Sequence, residues 1–191
     1  MTQEELNEIL KKHELWLRGE PDGKRADLAI ADLRWANLTG ANLAHANLTA
    51  ARLTRADLPD ASLLGASLIK TYLRGAKLTD ADLTDACLHD ANLSGADLMN
   101  ANLSGADLMN ANLTRANLMN VNLTGANLMN ANLTGANLAY ADLSDANLTG
   151  VDLTGACLLH TDLTSTALTN AERKKKSPSE SSAQAASGEP D

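Results

Sequence analysis

The sequence predicts an all-β solenoid, and three regularities point to it. Leucine falls at every fifth position from Leu28 to Leu168, giving 29 consecutive units between Ala26 and Asn170. The residue two before each Leu is Ala in 24 units, and the residue just before it is Asn or Asp in 21. Turn-forming pairs follow many of the leucines, such as Thr39-Gly40, Ser94-Gly95, Thr124-Gly125, Thr134-Gly135 and Thr154-Gly155. A helix advances about 100° per residue, so a five-residue period would scatter the leucines around its cylinder. In a flat strand an odd repeat sends successive leucines to opposite faces. Both conflicts vanish if the chain bends once per unit. Ala and Leu then stay inside a coil that stacks on itself, with adjacent coils paired as parallel strands about 4.8 Å apart.

The turn chemistry agrees. Glycine adopts positive φ at little cost, and Ser or Thr can bond nearby backbone. Where Gly is absent after a Leu-x pair, Asn or Asp often replaces it, as at Asp60, Asp80, Asp85, Asn100, Asn120 and Asn130. These residues best tolerate a left-handed backbone after Gly. The unit Ala-(Asn/Asp)-Leu-x-x resembles that of the pentapeptide-repeat proteins over 145 of the 191 residues. The resemblance implies a right-handed quadrilateral parallel β-helix: one pentapeptide per side, four per coil, Ala and Leu inward, the other three positions outward. Between Leu93 and Leu128, units ending Met-Asn alternate with units ending Ser-Gly, Thr-Arg or Thr-Gly. That alternation gives opposite sides of a four-sided coil the same chemistry and would scramble on three. Four sides imply about seven coils, roughly 35 Å long at the strand spacing above.

The elements follow in chain order. Residues 1–25 precede the repeat. Thr2 with Glu5 reads as a capping box and Gly19 as a helix stop. Between them Leu6, Ile9, Leu10, His13, Trp16 and Leu17 share one helical face. An open first coil would expose leucines and unpaired edges, so this helix is expected to be the N-terminal cap, with His13 an ordinary interface residue. Pro21-Asp22-Gly23 is the turn into the first coil. Residues 26–170 form the β-helix. Residues 171–191, with Arg173-Lys174-Lys175-Lys176 and a Ser/Ala/Gly-rich end, lack the apolar residues to fold and read as a disordered polar tail. No second cap is evident, so the last coil is expected to be covered by the tail or to stack end to end on another copy.

Composition narrows the function. The net charge is −8, and no apolar run approaches the roughly 20 residues that span a membrane. Met1–Leu17 is charged and amphipathic, unlike a secretory signal, so a cytoplasmic location is expected. Cys87 and Cys157 lie three and a half coils apart on opposite sides, too far for a disulfide. Two Trp, two Tyr and no Phe suit a narrow interior filled by Leu and Ala.

The surface carries little chemistry of its own. His45, His89 and His160 fall on three sides, and neither Cys87–His89 nor Cys157–His160 gains the further ligands a zinc site wants. No nucleophile triad, phosphate loop or metal motif is present. A convex rod lacks the deep cleft that catalysis needs, so no enzyme, cofactor, metal or small-molecule substrate is expected. Met99, Met109, Met119 and Met129 stack on two opposite sides, a pattern that duplication of a ten-residue segment explains.

Charge is more informative. Residues 26–77 carry six basic and four acidic side chains, while residues 78–170 carry one basic and ten acidic. Arg34, Arg52, Arg55, Arg74 and Arg115 share one side, near Trp35 and Tyr72, although the repeat does not demand Arg. Asp80, Asp82, Asp85, Asp97, Asp142, Asp145 and Asp162 carry the acidic part on the other sides, where a repeat accepting Asp before Leu becomes acidic by default. These two groups are the candidate interaction surface. The expected function is a rod-like, non-catalytic protein-interaction or scaffold module. The resemblance implies two alternatives: a DNA-mimicking binder of DNA gyrase that protects it from quinolones or toxins, or a secreted bacterial effector. The first is weakened by the missing Phe, by the lack of a hydrophobic C-terminal module, and by the arginine side, which a DNA-holding surface would repel. Nucleic-acid binding is disfavoured by net charge and scarce aromatics.

Overall fold

The computed structural model of the chain describes residues 1–166; the tail expected at 171–191 and Leu168 lie outside the described residues. One helix, α1 (Gln3–Leu17), opens the chain. Its capping box forms as the sequence predicts: Glu5 N–H donates to Thr2 Oγ1 at 3.2 Å, and Thr2 N–H donates to Glu5 Oε2 at 2.8 Å. Arg18 is the C-cap, and Gly19 follows at φ 68°, the left-handed conformation that ends a helix.

From Ala26 the chain coils. Parallel bridges join each residue before a Leu to the residue twenty further on, from Asp27–Asn47 to Asp142–Asp162. Twenty residues are four units, so each turn of the coil has four faces. We number them by their first units: face 1 from Ala26, face 2 from Ala31, face 3 from Ala36 and face 4 from Ala41. Each unit contributes a single bridge rather than a longer strand, because a bend recurs every five residues. The residue that makes the bend, two after each Leu, has positive φ in every described unit, whether Gly (Gly105, 67°) or not (Trp35, 63°).

The unit 101–105 shows why the fold repeats. Leu103 N–H donates to Asn122 C=O (2.7 Å) and Gly105 N–H to Thr124 C=O (3.0 Å) in the following coil. Asn102 N–H donates to Ala81 C=O (2.9 Å) in the preceding coil, and Ala101 N–H to Leu98 C=O (3.0 Å) across the bend. The fifth donor, Ser104 N–H, has no backbone partner and meets Asn102 Oδ1 at 3.1 Å. Every amide of the unit is satisfied, as buried backbone requires. The same side-chain bond recurs from Asp27–Ala29 to Asp162–Thr164, so an Asn or Asp before a Leu acts as a local turn brace wherever the residue two on has an N–H, which excludes Asp57 before Pro59.

The interior is a column of Leu and Ala. The leucines at every fifth position from Leu28 to Leu153 are buried, none more than 9% exposed. Thr71 replaces one Ala inside and donates from Oγ1 to Leu48 C=O at 2.8 Å, which offsets the burial of its hydroxyl. Leu6 of α1 joins this column, with Ile9 and Leu10 packed against it. Further along α1, His13 is fully buried.

Candidate interaction surface

The register decides which outward side chains meet. Face 2 collects Arg34, Arg52, Arg55, Arg74 and Arg115, all exposed, together with Trp35 and Tyr72. Trp35 and Tyr72 are 64% and 52% exposed, unusual for large rings on a surface built mainly of Asn, Asp, Ser and Thr. The Arg55 guanidinium lies over the Trp35 ring, 4.9 Å from its centroid, because the two are bend residues of successive coils on one face. Such a contact both orients the arginine and keeps its charge available. Arg34 turns back on Asp32, with Nε–Oδ1 at 2.7 Å and NH2–Oδ2 at 2.6 Å. Hydrogen bonding from Arg34 holds the Asp32 carboxyl down to about 2. Among the described residues Arg52, Arg55, Arg74 and Arg115 form no ion pair. Between residues 26 and 165 the face carries five arginines against Asp32 and Asp152, a net charge of +3.

The acidic candidates divide. Asp82, Asp85, Asp142, Asp145 and Asp162 all fall on face 4, opposite the arginines, and make it −5 over the same span. Asp80 and Asp97 lie on face 3 instead. Their oxygens are engaged along the rod, Asp80 by Asn100 Nδ2 (3.0 Å) and Asp97 by Asn117 Nδ2 (2.9 Å). Asp82, Asp97, Asp142 and Asp162 precede a Leu and serve as turn braces, whereas Asp85 and Asp145 are exposed bend residues. The Asp142 carboxyl is held below its ordinary range, first by Ser144 and then by Thr124. The repeat accepts either Asp or Asn before Leu. The brace gives the reason: either residue offers an Oδ to the amide two residues on, and an Asn in this place can also donate from Nδ2 to a neighbouring coil, as Asn117 does to Asp97.

The remaining candidates stay apart. Cys87 and Cys157 are free thiols on opposite faces. His89 Nε2 meets Asp90 Oδ2 at 3.2 Å, and His160 stacks on Tyr140 with centroids 5.0 Å apart. Among the described residues no group of three or more His, Cys, Asp and Glu is placed to hold a metal ion. Hollows of about 200 and 190 Å³ lie where α1 meets the first coil, the larger lined by Ile9, Lys12, Lys24, Arg25 and Asp27. No described helix is long and apolar enough to cross a membrane.

A four-faced coil of Ala-(Asn/Asp)-Leu-x-x units defines a class of repeat solenoid. The pentapeptide-repeat family model matches residues 26–64, 46–85, 56–95, 86–125, 96–135 and 126–164. Among solved structures, HetL, a pentapeptide-repeat protein involved in heterocyst differentiation regulation in the cyanobacterium Nostoc sp. strain PCC 7120, is 37% identical. That match covers 73% of this chain and 75% of HetL, with a TM-score of 0.37. The pentapeptide-repeat protein alr5209 from Nostoc PCC 7120 is 32% identical over 64% of this chain and 78% of its own, with a TM-score of 0.39. QnrB1, a plasmid-mediated fluoroquinolone resistance protein, is 19% identical over 72% of this chain and 79% of its own, with a TM-score of 0.47. No curated protein matches significantly. The chain belongs to the pentapeptide-repeat family, whose members form right-handed quadrilateral β-helices.

Proposed function

We propose that the protein is a non-catalytic interaction rod that docks an acidic protein surface on face 2. The rod has about seven coils, is closed at its N-terminal end by α1, and works in the cytoplasm, where Cys87 and Cys157 stay reduced. The observation that carries this reading is Arg55 stacked over the exposed Trp35, with Tyr72, Arg52 and Arg74 beside them. Trp, Tyr and Arg dominate binding energy at protein interfaces, and the repeat requires none of them here. Trp35 and Arg55 also occupy bend positions at φ 63° and 58°, where Gly, Asn or Asp would fit with less strain.

The test is affinity capture from a lysate with the parent and with the triple variant Arg52→Glu, Arg55→Glu, Arg74→Glu. A stoichiometric partner recovered by the parent and lost by the variant is the expected result. Equal recovery by both would remove face 2 from the mechanism. The arginines also weigh against the DNA-mimic alternative, because a surface shaped to hold DNA is itself basic.

A further inference from the structure

We propose that face 2 accepts face 4 of a second copy, the two rods lying side by side and antiparallel. The proposal rests on face 2 being the docking surface and names one acidic partner for it. Opposite faces of one rod carry +3 and −5, so each copy holds both halves of a charge-complementary contact.

The register along the rod selects the orientation. Counting coils of twenty residues from Ala26, the face-2 arginines occupy coils 1 (Arg34), 2 (Arg52, Arg55), 3 (Arg74) and 5 (Arg115). The face-4 aspartates occupy coils 3 (Asp82, Asp85), 6 (Asp142, Asp145) and 7 (Asp162). When two rods overlap fully and antiparallel, coil 1 meets coil 7, coil 2 meets coil 6 and coil 5 meets coil 3. All three acidic coils then face an arginine coil, whereas no parallel offset aligns more than two. Coil 3 of face 2, with the bulky Tyr72 and Arg74, meets Asn122, Thr124 and Gly125 of coil 5, which carry no charge.

The register across the face agrees. The chain runs in opposite directions on opposite faces of a coil. Turning a copy end over end about the face normal makes the two directions coincide. Residues before a Leu then lie opposite each other, as do bend residues. Arg52 faces Asp142, Arg55 faces Asp145, and Arg115 faces Asp85, whereas between coils 1 and 7 Asp162 meets Asp32, whose charge Arg34 already offsets, so the three bend and pre-Leu pairs of coils 2 and 5 carry the contact.

The contact is small. Seven coils at about 4.8 Å by three outward residues at about 3.3 Å give roughly 350 Å² per copy. A stable interface buries about 800 Å² per partner, so this association is reversible and salt-dependent. Each contact leaves one face 2 and one face 4 uncovered, so it continues as a stack of alternating rods as concentration rises.

The test is sedimentation of the full chain at about 0.01 M and about 1 M ionic strength, where screening lengths are about 30 and 3 Å. A larger species at low salt that dissolves to monomer at high salt is expected. Two variants swap the bend charges: Arg55→Asp with Arg115→Asp, and Asp85→Lys with Asp145→Lys. The chain already places Asp60 and Lys70 at bend positions, so both are expected to retain the parent's circular dichroism. Each variant alone should be monomeric at low salt, and an equimolar mixture should regain the larger species. Self-association of either variant alone, or a mixture that stays monomeric, would overturn the proposal. If the mixture stays monomeric while the triple arginine variant still loses its captured partner, self-association falls and the docking role of face 2 stands.

Discussion

Ile30 shows what the bend demands of a single residue. It holds φ at 55° and is 79% exposed, so a β-branched side chain sits in left-handed backbone without packing to offset the strain. That conformation costs an ordinary residue about 1–2 kcal/mol, and Asn tolerates it better. Ile30→Asn should therefore stabilise the protein by about 1 kcal/mol, seen as a higher denaturant midpoint with unchanged m-value. A lower midpoint would show that Ile30 makes contacts its exposure hides. Other bend residues trade space with the next coil. A β-carbon added at Gly65 would come within 2.7 Å of His45 Nδ1, and one at Gly105 would strike Asp85 Oδ1. Large bend side chains thus lean over a glycine one coil on, a pairing at a spacing of twenty that five-residue periodicity does not reveal.

At the scale of the element, α1 is held by few contacts of unusual kind. Ala26 N–H donates to the buried His13 Nδ1 at 3.1 Å, and Gln3 exchanges bonds with the backbone of Asn37 at 3.1 and 3.3 Å. His13 Nε2 is buried without a partner, and the ring stacks on Trp16 with centroids 5.5 Å apart. Burial lowers the His13 pKa; Arg25 and His45 push it the same way, while the Ala44 backbone and Glu14 oppose them. The folded chain therefore binds fewer protons here than the unfolded chain. Its contribution is complete above the unfolded value of about 6.5 and is lost as pH falls through and below it. Exchange of the Ala26 amide should accelerate as pH drops from about 7 to about 5, relative to the Leu103 amide as an internal standard. A His13→Gln variant should lose that difference in pH response. A parallel response in parent and variant would place the sensitive group elsewhere. The sequence predicts the helix and its capping box; of the face it predicts to be inward, Leu6 and His13 are buried, whereas Trp16 is 37% exposed. In the sequence Gly23 reads only as part of a turn, whereas a β-carbon there would strike the backbone of Trp16 and Leu15. At Gly23 the segment leading into the first coil lies against the backbone of α1, a contact that only the folded chain creates.

At the scale of the molecule, stability is a column. Leu103 is fully buried midway along the rod, and Leu158 is half-buried near the end of the described residues. Leu103→Ala should cost about 2–5 kcal/mol, since the stacked coils above and below cannot collapse into the space. Leu158→Ala should cost distinctly less, because part of its side chain already meets water. Denaturant midpoints of the two variants measure the difference, and equal losses would mean that the rod's end is covered. In a solenoid each coil contacts only its neighbours, so a central lesion interrupts the column while a terminal one shortens it.

The five-residue leucine period by itself determined that the chain bends once per unit, that Ala and Leu face inward, and that three positions per unit reach solvent. Those are local matters, settled by backbone sterics and by the burial of one apolar pair. The number of bends that close a turn is not local. It came with the family resemblance and stands in the structure as bridges twenty residues apart. That number decides which distant units share a face. Arg34 and Arg115 line one side, and Asp82 and Asp162 the opposite one, only because four bends close each coil. The stacking of Arg55 on Trp35 also arises there, because the coil brings bend residues twenty apart in sequence into contact.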